Sequence, residues 1–519
     1  MYLVKTEDLD NLIENFSDYE VNQFVHSGIL GIEKENLRIC KDTISLQKHP
    51  LSIGSALCSK YITTDFSEAQ IELITPPFEH HSSALEFLDH LNEFLYKNIG
   101  NELLWCFSMP PYIKNENMIP ISNYGTSNLS RFKMTYRNGL SHRYGKLMQT
   151  ISGIHYNYSF PEKFWSLLLS QDNTIDQKEF KSSYYFRVLR NIKRFNWLIL
   201  YLFGASPAVT KNFIEKSSIK FNSFGDFYYL PFATSLRMSR VGYQNKKRSQ
   251  LTFSSDSLKA FIYDLEKATS TESKAFLDIY KSSGDIGTQL NANLLQIEDE
   301  YYEIARPKSS LKGHQRLSNK LKTNGIDYIE LRSIDLNPFC THGIDIESTQ
   351  FIEALIVYSG LKDSPPISPS ELEEIKNNDS LVALEGRRPG LILERKGKKI
   401  SLKEWAYSTL DEVEPIAKRL GVAQEIIDKF KSMIQQPEST LSGRIIHELL
   451  EQYKSYENMG NYYSTLHKDH YSNLDEEQNP YWTDFVKEAE DSLTKQKEIE
   501  EDENQSFDEF LEDYYLGKS

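Results

Sequence analysis

The chain has 519 residues, 39% hydrophobic and 12% aromatic, which is enough apolar material for a large folded body and argues against a disordered polymer. A formal net charge of −15 argues against nucleic acid or an anionic membrane as partner. The four cysteines, Cys40, Cys58, Cys106 and Cys340, form neither C-x-x-C nor a zinc spacing, so free thiols in a cytoplasmic protein are expected rather than a disulfide framework.

Residues 8–28 are expected to form an opening helix, and the first eighteen residues carry acids where a signal peptide has a basic start and an apolar run. A strand follows with G-I-E-K-E-N at 31–36. Strand side chains alternate, so Glu33 and Glu35 share a face and Lys34 takes the other. Alone, E-x-E equally fits a solvated strand edge. In T-T-D-F-S-E-A-Q-I-E at 63–72, Asp65 falls in an entry turn, Glu68 reads as a turn or surface acid, and Glu72 lies on the polar side of a strand over 70–75. Residues 84–97 have apolar positions at 85, 88, 91, 94 and 95, a helix with one buried face.

From 117 to 161 there is no Asp or Glu, yet Arg131, Lys133, Arg137, Arg143 and Lys146 all fall there. That basic island is either an anion site or a solvated helix face. Residues 150–160 read as a strand with His155 and Asn157 on one face; His155 is either a core histidine or a ligand for metal or phosphate. Residues 195–205 read as a buried helix too short to span a bilayer. Strands are expected at 289–297 and 326–334, the latter placing Glu330 and Arg332 on one face. These two form a surface pair or a metal ligand beside a phosphate-binding guanidinium.

S-P-P-I-S-P-S at 364–370 marks a break, followed by helices at 403–420, 423–435, 442–455 and 482–499 and an acidic solvated helix or frayed tail at 497–513. The expected organisation is a catalytic core over 8–365 and a helical C-terminal lobe over 366–519. Glu33, Glu35, Asp65, Glu72 and Glu330 supply five hard oxygen donors, which suit Mg²⁺ or Mn²⁺ and could hold two or three ions around ATP. Neither G-x-x-x-x-G-K-[ST] nor G-x-G-x-x-G occurs, so metal carboxylates and arginines would have to cradle a nucleotide.

The stretches GIEKENLR, ITTDFSEAQIELITP, YGTSNLSRFKMTYRNGL, RYGKLMQTISGIHYNYSFP, YLFGASPA, YLPFATSLRMSRVGY, NGIDYIELRSIDLNPF and EGRRPGL run almost end to end. By them the chain resembles the proteobacterial-type glutamate–cysteine ligases, or γ-glutamylcysteine synthetases. The resemblance implies an α+β fold: a glutamine-synthetase-like antiparallel sheet forming an active-site funnel, surrounded by helices. It implies the ATP-dependent joining of the L-glutamate γ-carboxyl to L-cysteine through a γ-glutamyl phosphate, the first step of glutathione biosynthesis. It implies that Glu33, Glu35, Asp65, Glu72 and Glu330 bind metal, with His155 near the metal and glutamate and Arg332 at the transferred phosphate. Phe66, Tyr136, Leu140, Gln149, Tyr243 and Tyr302 match positions around a cysteine pocket, and Arg237 matches the glutamate α-carboxylate site. Arg137 joins the catalytic candidates and Asn157 the substrate-binding ones. No nucleic acid or membrane partner is implied, and a monomer is expected. The cysteine pair that some members bridge in the C-terminal lobe has no counterpart, since no Cys follows Cys340. The rivals are a same-fold ligase with another amine acceptor, a phosphotransferase of the guanidino-kinase type, and a non-catalytic cation chelator.

Overall fold

A computed structural model describes residues 28–41, 43–169, 176–214, 219–242, 251–283, 288–311 and 313–517; the expected opening helix, up to residue 27, lies outside them. Strands β1 (Ile29–Cys40), β2 (Thr43–Ile44), β3 (Ile62–Thr64), β4 (Gln70–Ile74), β5 (Leu103–Leu104) and β6 (Ile154–Ser159) belong to one sheet. After a small separate sheet of β7 (Ala208–Thr210), β8 (Asn222–Phe224) and β9 (Phe227–Tyr229), the chain returns to the main sheet with β10 (Ala305–Lys308) and β11 (Tyr328–Ile334). The order is β10-β11-β6-β1-β4-β3, with β2 and β5 paired to β1, and all pairings are antiparallel.

Period-two alternation separates the two faces of this sheet. Leu30, Ile32, Ile71, Leu73, Ile154, Tyr156, Tyr158, Ile329 and Leu331 are buried in one cluster with the helices His81–Asn98, Gln177–Phe203 and Ile346–Leu361. Lys34 points to this side, where its Nζ donates to Asn92 Oδ1 (2.8 Å) and the Thr341 carbonyl (3.0 Å). The other face carries the acids. The apolar segment at 195–205 lies in the buried helix Gln177–Phe203, which stops before Gly204. No helix among the described residues is long and apolar enough to cross a membrane.

Residues 289–297, expected as a strand, form an irregular loop with one isolated bridge, Glu272 to Asn293. Side-chain amides take the place of a ladder there: Gln296 Oε1 accepts from Leu290 N, and Asn291 Nδ2 donates to the Gln296 carbonyl.

Beyond residue 365 come helix Pro369–Glu385 and a hairpin of β12 (Ile392–Arg395) and β13 (Lys398–Ser401), turned by Lys396 and Gly397 at φ 53° and 71°. Helices follow at Leu402–Arg419, Gln424–Gln435, Leu441–His447, Tyr456–Ser472, Trp482–Glu501 and Phe507–Leu516. The helix expected over 442–455 ends as α at His447 and continues as a π-helix over Glu448–Tyr453, closed by left-handed Lys454. The acidic C-terminus is docked. Ser506 and Glu509 form a capping box, and Phe507 and Tyr514 are buried against Phe132 and Ile297. The main core crosses residue 366 without a gap, with Trp197 against Trp405 (4.6 Å between rings) and Phe203 against Phe430 (5.6 Å).

Candidate active site

Register places the acids. Glu35 lies opposite Glu72 across β1 and β4, Glu33 opposite His155 across β1 and β6, and Glu330 opposite Asn157 across β6 and β11. Cross-strand partners share a face, so one face gathers charges from four strands. His155 sits at the centre: its Nδ1 is 2.9 Å from Glu33 Oε2 and 3.7 Å from Glu330 Oε1, and its Nε2 is 3.4 Å from Glu35 Oε1. Asn157 Nδ2 donates to the other Glu33 oxygen at 2.9 Å, so it orients a carboxylate and does not line the adjoining cavity.

Two groups of donor atoms, Glu33–His155–Glu330 and Glu35–Glu72–His155, each lie within 4.8 Å of one another and could hold a metal ion. Asp65 stands outside both groups, in the loop joining β3 to β4, yet its charge acts on Glu35 and Glu72. Burial, then the neighbouring Glu33, Glu35 and Asp65, push the Glu72 carboxyl well above the usual range. Burial and Asp65 lift Glu35 to about 7, against the pull of His155 and Arg332. Such mutual destabilisation is relieved by protons or by a shared cation, and oxygen donors with one imidazole fit a hard divalent ion.

The opposite tendency holds on the β11 side. Burial opposes ionisation of Glu330, but Lys308 (Nζ 3.3 Å away) and Arg332 (Nη1 3.0 Å away) outweigh it and hold the carboxyl far below its usual range. Arg306, opposite Glu330 in register, adds a third cation. Arg237 lies behind, its Nη2 donating to the Arg332 carbonyl (2.8 Å) and its Nη1 3.5 Å from Asp335. Sequence reasoning missed Arg306 and Lys308. The signal was A-R-P-K at 305–308, where alternation puts both cations on one face, but Pro307 weakens a strand assignment.

Beside these charges lies a cavity of about 100 Å³ lined by Glu35, Asp65, Phe66, Tyr136, Arg137, Leu140, Gln149, Asp299, Glu300, Tyr302, Arg306 and Arg332. Tyr136 and Leu140, four residues apart on helix Asn128–Tyr144, present one face to it. Tyr302 Oη donates to Met238 Sδ at 3.2 Å. Tyr243 lies outside the described residues. Of the basic island, Arg137 lines the cavity, donates through Nε to the Asp65 carbonyl and packs over the Tyr124 ring. Arg143 is instead an internal partner of Glu300 (3.1 Å). Glu68 is buried, accepting from the backbone of His49 and Asn123, and is not a surface acid. A larger cleft of about 740 Å³, around Arg194, Glu371 and Trp405, contains none of the acid cluster.

Residues 13–382 match the family model described as glutamate-cysteine ligase. The chain is 40% identical over 498 residues to the glutamate–cysteine ligase of Aliivibrio salmonicida, covering 93% of this chain and 95% of that protein. It is 39% identical over 502 residues to that of Alcanivorax borkumensis, covering 93% and 95%. A crystal structure of the Francisella tularensis glutamate–cysteine ligase in complex with AMP superposes with a TM-score of 0.88 at 32% identity, over 95% of this chain and 98% of that one. By sequence over nearly its whole length and by fold, this chain belongs to the glutamate–cysteine ligase family.

Proposed function

We propose that this site joins the γ-carboxyl of L-glutamate to the amine of L-cysteine with ATP as co-substrate, the first step of glutathione biosynthesis. One observation carries the reading: carboxylates, His155 and three cations share a sheet face that opens onto a small cavity walled by Phe66, Tyr136, Leu140 and Gln149. Glu33 and Glu330, joined by His155, would hold one Mg²⁺, and Glu35 and Glu72, with Asp65, a second; a neutral imidazole has one lone pair to give, so His155 serves one ion, and Mn²⁺ could substitute. A bound ion of this kind neutralises phosphate charge and draws the triphosphate and the glutamate carboxylate together.

A free carboxylate does not acylate an amine, because its leaving group would be oxide. Transfer of the terminal phosphoryl of ATP to the γ-carboxylate gives γ-glutamyl phosphate and ADP, and phosphate then becomes the leaving group. Arg332, with Arg306 and Lys308 beside it, meets the charge that spreads over the transferring group. Arg237, buried and outside the cavity lining, would have to turn from the Arg332 carbonyl and Asp335 to take the glutamate α-carboxylate, and Asn157 fixes Glu33. Phe66, Tyr136, Leu140, Gln149 and Tyr302 wall a slot matched to a thiol methylene, which places the cysteine amine over the acyl phosphate. A monomeric enzyme belongs to the same reading. ATP and reduced cysteine as substrates favour the cytoplasm. The catalytic core assigned to 8–365 and the supporting lobe over 366–519 belong to the same reading.

The test is a coupled ADP-release assay with Mg²⁺ and L-glutamate, run with and without L-cysteine. Release that needs both amino acids is expected. Equal rates with unrelated amino acids in place of cysteine would assign another acceptor, a stable phosphorylated product would make the protein a kinase, and cation binding without ATP turnover would overturn catalysis.

A further inference from the structure

On the opposite side of the main sheet, a second cluster of reactive groups lies outside the site just described. After β11 the chain turns through residues 337–344, where Cys340 N donates to the Asn337 carbonyl and Gly343 N to the Cys340 carbonyl. The Cys340 sulfur lies 3.5 Å from His342 Nδ1, and the residue is half-buried. His342 Nε2 is 2.9 Å from Asp89 Oδ1 on helix His81–Asn98, and that same oxygen accepts from Tyr471 Oη at 2.7 Å. Thiol, imidazole and carboxylate therefore form a relay drawn from two distant parts of the chain. Lys34 adds a cation behind it, its Nζ 3.0 Å from the Thr341 carbonyl.

The sulfur faces two groups, the His342 ring on one side and the Ile344 carbonyl, 3.5 Å away, on the other. Burial would lower the His342 imidazole, but the hydrogen bonds to Asp89 and Cys340 lift it to about 9. At neutral pH it is an imidazolium with Nε2–H directed at Asp89 and Nδ1–H at sulfur. A cation in that position stabilises the thiolate, which is the attacking species in thiol–disulfide exchange. The ligase chemistry uses none of these groups.

We propose that Cys340, with His342 and Asp89, is a modification site that forms mixed disulfides with low-molecular-weight disulfides. The Cys340 thiolate attacks one sulfur of the small disulfide; the new S–S bond forms as the old one breaks. Cys340 sulfur is oxidised, the departing sulfur is reduced to a thiolate, and that thiolate takes up the proton Cys340 had given to His342. No other oxidant is needed.

The other three cysteines are internal controls. Burial raises the Cys106 thiol to about 12, burial also raises Cys58, and Cys40 is partly exposed. The full-length protein is incubated with cystine at pH 7, quenched in acid and digested, and the mixed disulfide at each cysteine is followed by mass spectrometry. An ordinary thiol is only about 3% ionised at pH 7, and lower nucleophilicity offsets part of the gain from fuller ionisation. Modification at Cys340 is therefore expected to be about tenfold faster than at Cys40 or Cys58. His342→Gln should remove most of that advantage, and Asp89→Asn should also slow the reaction. Cys40 or Cys58 reacting as fast as Cys340 in the wild-type protein would overturn the proposal, whatever the variants' stability. So would an unchanged rate in a folded His342→Gln protein.

Discussion

Arg332 and Glu330 are two residues apart on β11 and held at 3.0 Å, so the guanidinium is set in place by its own strand before any substrate arrives. If its role is to meet charge that grows during phosphoryl transfer, Arg332→Ala should lower kcat by about 10³-fold while KM for ATP moves only a few-fold. Steady-state kinetics separate the two parameters; an equal change in both would reassign Arg332 to ground-state binding. Protons make a second prediction. Glu35 holds its proton up to about 7, against an ordinary 4.5, and Glu72 is also raised. Through these two carboxyls the folded, metal-free state binds more protons than the unfolded one between those values, a contribution to stability that is lost as pH rises from 4.5 towards 7, while the imidazoles of His49, His314 and His467, held below their ordinary range by desolvation, act in the opposite sense. A divalent cation must displace the carboxyl protons. Mg²⁺ binding, followed calorimetrically in buffers of different ionisation enthalpy, should release protons near pH 6.5 and tighten towards pH 8. Binding with no proton release would show that Glu35 and Glu72 are not ligands.

At the scale of elements, a small residue sets how closely a loop approaches a strand. A Cβ on Gly153, just before β6, would lie 2.2 Å from Arg237 Nη2 and 2.5 Å from its Cζ. That guanidinium cannot swing away without giving up the Arg332 carbonyl and the Asp335 carboxylate. Gly153→Ala should therefore raise KM for glutamate about tenfold or more, with an unchanged far-UV spectrum; wild-type glutamate kinetics would detach Arg237 from that substrate. Strand alternation made the acids readable in advance: Glu33 with Glu35 and Glu330 with Arg332 need only period two. Register was not readable, because which strand lies beside which depends on distant packing, and so the central place of His155 between Glu33, Glu35 and Glu330 emerged only in three dimensions. Local side-chain hydrogen bonding defeated the strand expected at 289–297, and a proline hid β10 with Arg306 and Lys308.

For the whole molecule, the break at 364–370 was legible from its prolines, but the continuity of the core across it was not, since periodicity says which face is apolar and not what covers it. The acidic C-terminus shows the consequence. Its composition suggests a solvated tail, yet it closes over the helix that carries Tyr136, Arg137 and Leu140. Glu503 Oε2 accepts from Asn128 N (2.6 Å), the Gln505 carbonyl accepts from Asn128 Nδ2 (2.8 Å), Arg131 stacks on Phe507, and Phe132 meets Tyr514 at 4.6 Å. Burial of Phe507 and Tyr514 contributes about 1.5–3 kcal/mol each, a small part of what the rest of the core supplies. Ending the chain after Asp502 should therefore leave a cooperative thermal transition, lowered by several degrees. It should free the first turns of helix Asn128–Tyr144 and blur the cysteine slot, so that KM for cysteine rises more than KM for ATP. Unchanged cysteine kinetics in that truncated protein would mean the slot is held without that helix, by Phe66, Gln149 and Tyr302 on the connecting segments.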